Sequence, residues 1–154
     1  RHARKNPFAW FKGDITIDEI VDTLLALGRA GEAEEVLLGA ERRVGFTPRL
    51  GLLRGRLLLM RGDAGHARAV LERVVVSPGD AKIAAGAWCA LAELADGDPV
   101  RAEARVDGVL REAPHDPLAN RVLAMILEDK GDAAAKAFRL RSVELARGGP
   151  GTPR

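Results

Sequence analysis

Only one cysteine and no tyrosine occur in the 154 residues. A lone Cys89 cannot close an internal disulfide and supplies no metal cluster. In an apolar helical stretch it is expected as a buried, inert thiol. The two serines, Ser77 and Ser142, and the three histidines, His2, His66 and His115, are scattered. Nucleophilic catalysis needs nucleophile, base and orienting group within hydrogen-bond reach, and zinc needs clustered ligands. No catalytic residue, no metal and no cofactor is therefore expected. Charge of one sign is also lacking: the formal net charge is +2, too balanced to imply a nucleic-acid partner. No apolar run approaches the roughly 20 residues that a membrane span needs. Glycine-rich phosphate loops are missing too, because Gly51-Leu-Leu-Arg-Gly55 lies inside an apolar helix pattern and follows no strand.

What the chain does have is a recurring figure. Hydrophobic residues make up 47% and charged residues 30%, a balance that suits a folded chain, and the length suits a single domain. In the stretch from Leu57 to Val74, LLLMRGDAGHARAVLERV, an apolar run stops at Gly62-Asp63 and a second begins at once. The figure recurs at Gly31-Glu32, Gly97-Asp98 and Gly131-Asp132, with nearly even spacing. Pro48, Pro78 and Pro114 follow the first three turns at nearly constant distance, as helix stops. The pattern predicts helix, tight turn, helix, four times over.

A period near 34 with this punctuation resembles the tetratricopeptide repeat family. The resemblance rests on the Gly-Asp/Glu turns, on Ala67 and Ala102 five residues beyond their glycines, on Leu71, Val74, Val106 and Val109 at the next buried positions, and on the closing prolines. Val36 and Lys136 depart from it, standing where a small alanine is usual. The resemblance covers roughly residues 15–147 and implies an all-α, right-handed superhelix of about four helix-turn-helix repeats. Residues 1–14 are expected as an N-terminal arm or linker and residues 148–154 as a disordered tail. The basic and aromatic arm (Phe8, Trp10, Phe11) is expected to cover the open end of the first helix pair; its rival use is a grip on a membrane surface or a neighbouring protomer.

Periodicity supplies the faces. Thr16 and Glu19 form a capping box before Ile17, Ile20, Val21, Leu24 and Leu25. The next helix is expected to bury Ala33, Val36, Leu37 and Ala40. The third buries Leu50, Leu53, Leu57 and Met60, and the last presents Ala137, Leu140 and Val143 to the core.

The resemblance also implies the use. In such arrays the first helix of each pair lines a concave groove that holds a protein or peptide partner. Residues seven apart on those helices give the candidate groove: Arg29, Arg49, Leu52, Arg56, Ala87, Leu91, Arg121 and Met125. With 19 arginines against 5 lysines, bidentate contact to carboxylates favours an acidic partner segment. The expected function is a non-catalytic adaptor or scaffold in a bacterial-type assembly, with the cytoplasm favoured. The alternatives are a self-oligomerising assembly module and the regulatory domain of a larger enzyme or transcription factor. The latter follows from the missing initiator methionine, which leads us to expect a processed or excised piece. The family's carboxylate clamp of lysines and asparagines is not found in the corresponding helices.

Overall fold

The computed structural model describes residues 16–131 and 134–148. The arm over residues 1–14, nearly all of the expected tail, and Asp132 as a helix cap lie outside those residues. Among the described residues there are eight helices and no strand: α1 Ile17–Ala26, α2 Ala30–Val44, α3 Pro48–Met60, α4 Ala64–Val75, α5 Lys82–Ala95, α6 Pro99–Glu112, α7 Pro117–Asp129 and α8 Ala135–Ala146.

Five of the eight described helix starts follow from side-chain caps. Thr16 accepts the Glu19 N–H while the Glu19 carboxylate accepts the Thr16 N–H, closing the expected capping box. Thr47, Asp63, Asp98 and Asp116 cap α3, α4, α6 and α7 in the same direction. At α4 the His66 ring and its backbone N–H both reach Asp63 and hold that carboxyl below its usual range. Pro48, Pro99 and Pro117 occupy first-turn positions, where a missing N–H costs nothing. Pro48 therefore opens α3 and does not close the helix before it, a correction to the expected stop.

The helix ends correct the repeat register. Gly28, Gly62, Gly97 and Gly131 leave their odd helices with φ of +70°, +77°, +85° and +69°. This series is more evenly spaced than one that begins at Gly31. Gly31 is inside α2, so the first turn glycine is Gly28. The reason is conformational: a left-handed exit suits glycine, and Gly31 does not adopt it. Counting from Gly28, the small residue is Ala33, which is fully buried, and Val36 is no departure. In the fourth repeat Ala135 is buried and Lys136 is exposed. This turns α8 so that Ala135, Phe138, Ser142 and Leu145 face inward, while Leu140 and Val143 are 55% and 44% exposed and Ala137 is exposed as well. Met60 closes α3 and is also exposed, against expectation.

Packing is between neighbours. Each helix packs on the next in the chain, and successive odd helices also touch: α1 on α3, α3 on α5, α5 on α7. Among the described residues no two successive even helices approach backbone to backbone in this way, and α4 and α6 meet through side chains, Arg105 reaching Glu72 at 3.7 Å. The odd helices are thus the more closely spaced row, which is the inner side of the array. The core runs along it in segments, from Val21, Leu37 and Leu53, through Ala67, Leu71 and Cys89, to Val106, Val122 and Ile126. No described helix is long and apolar enough to cross a membrane.

Three helical glycines let helices close in. A Cβ on Gly55 would lie 2.4 Å from the Leu71 side chain, one on Gly51 2.6 Å from Val74, and one on Gly86 2.7 Å from Val109. Gly39 and Gly108 sit in α2 and α6 with open space around them. Alanine substitution should therefore have opposite signs at the two kinds of site. Gly55→Ala should destabilise by about 1–3 kcal/mol through overpacking. Gly39→Ala and Gly108→Ala should each stabilise by about 0.5–1 kcal/mol through helix propensity. Urea unfolding midpoints measure both, and a stabilised Gly55→Ala would contradict the close approach.

Candidate functional site

The odd helices carry the candidate groove residues, and the structure divides them. Arg49, Leu52 and Arg56 share α3. Arg49 is paired with Asp18 of α1, and the Arg56 Nη1 donates to Asp22 of α1 at 2.5 Å. The Arg56 guanidinium also lies over the Trp88 ring of α5, 5.0 Å from its centre, so cation–π attraction adds to the ion pair. Leu52 and Trp88 are half-buried against Leu71 and Cys89. This makes one patch across three helices: Asp18 and Asp22, then Arg49 and Arg56, then Trp88.

The other candidates lie elsewhere. Ala87 is 1% exposed and packs on Val109 and Ala119, so its side chain is core and offers no groove surface. Leu91 is half-buried in the packing between α5 and α7. Arg121 and Met125 are exposed on α7 and line a cavity shared with α8. Arg29 sits at the turn before α2, bound to Glu32 at 2.6–2.9 Å. Asp18 and Asp22 are the functional neighbours that sequence reasoning missed. With the corrected register Asp22 and Arg56 stand at the same position of consecutive repeats, and that equivalence was the available signal.

A second cluster is internal. Glu93 of α5 is completely buried. Arg105 of α6 donates Nε and Nη2 to it at 2.7–3.0 Å and reaches Glu72 of α4 at 3.7 Å. Arg68 of α4 ties Glu72 to Asp96 and Asp98, at 3.4 to 3.8 Å. The hydrogen bond to Glu93 raises the Arg105 pKa further above its ordinary value. Cys89 lies in the same cluster, and burial pushes its thiol up to about 11. Ligand atoms of Glu72, Cys89 and Glu93 come within 4.8 Å of one another. Two guanidinium groups already hold these carboxylates, so Glu72 and Glu93 are the acidic half of a mixed-charge stitch across α4, α5 and α6, with the Cys89 thiol packed beside it. A smaller stitch joins α2 to α3: Arg54 grips Glu41 at 2.7 and 2.8 Å, and Arg61 reaches Glu34 at 2.5 Å.

Ser77, Ser142 and Asn120 serve the backbone. The Ser77 hydroxyl donates to the Arg73 carbonyl, and that of Ser142 to the Pro117 carbonyl. Asn120, buried at the start of α7, donates to the carbonyls of Pro114 and Asp116. No family model matches this chain, and no curated protein matches it significantly.

Glu93 occupies the repeat position that Leu24, Leu58 and Leu127 fill in the other three hairpins. Removing its partner with Arg105→Ala strands a buried carboxylate and should cost about 3–5 kcal/mol. Replacing both by leucine should leave stability within about 1 kcal/mol of the parent or above it. Denaturant titration of the two variants separates these outcomes. At Cys89, alkylation at pH 8 should run at least about 100-fold slower than for a free thiol, and reach the free rate only in denaturant.

Proposed function

We propose that the chain is a tetratricopeptide-like interaction module with no chemistry of its own, an adaptor that holds a segment of a partner protein against the inner row of helices. The observation that carries this reading is the patch on α1, α3 and α5, where Arg49, Arg56 and Trp88 present two cations and an indole on the inner side. Aromatic and arginine side chains are the residue types that dominate binding hot spots. The ligand is an acidic segment, extended or helical. It competes with Asp18 and Asp22 for the two guanidinium groups, and partly exposed ion pairs of this kind are worth only about 0–1 kcal/mol each, so the exchange is cheap. The reading includes a cytoplasmic setting, where a free cysteine is ordinary.

Selection of a random peptide library on the whole chain tests it. Selected binders should be enriched in Asp and Glu. They should lose at least about tenfold in affinity for an Arg49→Gln, Arg56→Gln variant whose helical circular dichroism is unchanged. Binders without acidic bias, or equal affinity for the variant, would remove the proposal.

A further inference from the structure

The second and third hairpins differ at one interior place. In the second, Phe46 comes in on the segment before α3 and lays its ring beside Gly51. A Cβ on Gly51 would meet that ring at 2.7 Å and Val74 at 2.6 Å. The Arg73 guanidinium lies over the ring, 4.0 Å from its centre. Counting from the turn glycines Gly62 and Gly97, Gly86 takes the place of Gly51, Val109 that of Val74, and Gly108 that of Arg73. The place of Phe46 itself falls to Ala81. No ring arrives there. Gly86, Gly108 and Val109 instead line a cleft of about 240 Å³, whose apolar wall is completed by Val75 and Ile83. Ile17 and Asn120 stand at the glycine position in the first and fourth hairpins, so among the described residues only the third has neither a side chain nor a neighbouring ring to fill it. The cleft is made by α4, α5 and α6, with α3 and α7 beyond them, and it is not an open end of the array.

We propose that this cleft is a docking site for one aromatic side chain, carried on an extended acidic segment of a partner protein. It shares no residue with the patch around Arg56 and does not rest on the reading above. The ring is specified by the molecule's own precedent, since the equivalent place two helices earlier holds Phe46. Bare backbone at Gly86 and the open space around Gly108 offer flat surfaces that suit a planar group. An extended carrier follows from the same precedent: Phe46 leads directly into Thr47, whose φ of −127° and ψ of 155° are extended. The acid follows from the rim, where Lys82 and Arg105 face the single carboxylate of Glu112. Arg105 is already held by Glu93, whereas Lys82 is exposed and forms no ion pair among the described residues. A free aromatic molecule is the poorer ligand, because the space is below the roughly 300 Å³ at which small-molecule pockets begin, and most contact must come from a flanking chain. The aromatics at the start of this chain are disfavoured by charge: Arg4, Lys5 and Lys12 accompany Phe8, Trp10 and Phe11. A second copy has no suitable ring among the described residues. Phe46 lies under Arg73, Trp88 under Arg56, and Phe138 packs in the core.

The probes are three blocked pentapeptides, Asp-Gly-Phe-Gly-Gly, Asp-Gly-Ala-Gly-Gly and Lys-Gly-Phe-Gly-Gly, titrated against the whole nitrogen-15-labelled chain. The Asp/Phe peptide should shift the amides of Gly86, Gly108 and Val109 and saturate with a Kd of about 1 mM or below. The alanine peptide should bind at least about tenfold more weakly, and the lysine peptide at least about threefold more weakly. The preference for Asp over Lys should vanish on Lys82→Gln. Gly108→Leu places a side chain over the cleft from a position with open space, so helical circular dichroism should be retained while binding of the Asp/Phe peptide is lost. The proposal is overturned if the Asp/Phe peptide leaves these three amides unmoved, if the alanine or lysine peptide matches it, if Lys82→Gln keeps the preference, or if Gly108→Leu binds as the parent does. Two controls decide the occupant. Phenylacetate binding as tightly as the peptide would assign the cleft to a small molecule. A Phe8→Ala, Trp10→Ala, Phe11→Ala variant binding the peptide at least about fivefold more tightly than the parent would assign it to the chain's own aromatics. Either result overturns the proposal.

Discussion

The distance between the two helices of each hairpin is set by small residues, and the rest of the molecule depends on that distance. Ala33, Ala67, Ala102 and Ala135 begin the even helices at 0–4% exposure, and Gly51, Gly55 and Gly86 bring α3 and α5 directly against Val74, Leu71 and Val109. A chain with no tyrosine and only 4% aromatic residues has few large groups to fill a wide core. It reaches native packing density by drawing backbones together, so the space that large side chains would fill is never opened. The arrangement is brittle as a result. An extra carbon on Gly55 would have to displace the Leu71 side chain, which is fully buried and hemmed in by the core.

An array of alanine and leucine layers has a second problem, which is that neighbouring layers look alike. Sliding one helix by a turn would exchange one small residue for another at modest cost. The two charge stitches remove this freedom. Glu93 is tolerated in a leucine position only because Arg105 meets it with two donors, and Arg54 meets Glu41 in the same bidentate way. A one-turn slip would leave the buried Glu93 carboxylate without its partner, a penalty far larger than any mismatch of methyl groups, and would break the half-buried Arg54–Glu41 pair as well. In this molecule the partly exposed Arg54–Glu41 pair fixes register between α2 and α3, the buried Glu93 with Arg105 fixes it across α4, α5 and α6, and apolar contact supplies most of the stability.

The helices are legible in the sequence because caps and periodicity are local. Thr16, Asp63 and Asp98 cap where their side chains predict, and the apolar faces of α3 through α7 are largely those that spacing indicates. Errors arise where two local signals compete. Gly28 and Gly31 both suit a turn, and only the backbone angle chooses between them. On α8, Ala135 and Ala137 flank Lys136, and a one-residue rotation exchanges the inward face for the outward one. The candidate groove is half visible. Arg49 and Arg56 stand out by their seven-residue spacing, but their acidic partners sit one helix pair away, on α1. Starting the first repeat at Gly31 instead of Gly28 conceals that pairing. Ala87 is misplaced for a related reason: on an odd helix the inner face and the face covered by the next hairpin adjoin, and composition does not mark the border between them.

The α7–α8 hairpin differs from the others in a furrow that no described helix covers. Where the third hairpin has Leu94 and Val106, the fourth has Glu128 and Arg139, bonded to each other across the furrow. An uncovered furrow lined only by leucine and valine would invite irregular self-association, and an ion pair in its floor makes that contact costly. The pair is well exposed on both sides, so it is weak in water and easily rearranged. Apolar groups remain on either side of it in Met125 and Val143. A surface built this way rejects greasy helices in general, because they would bury Glu128 and Arg139 without compensation. The cost of burying unmatched charge thus acts at this end of the array as well, the same constraint that holds Glu93 and Arg105 together inside the core.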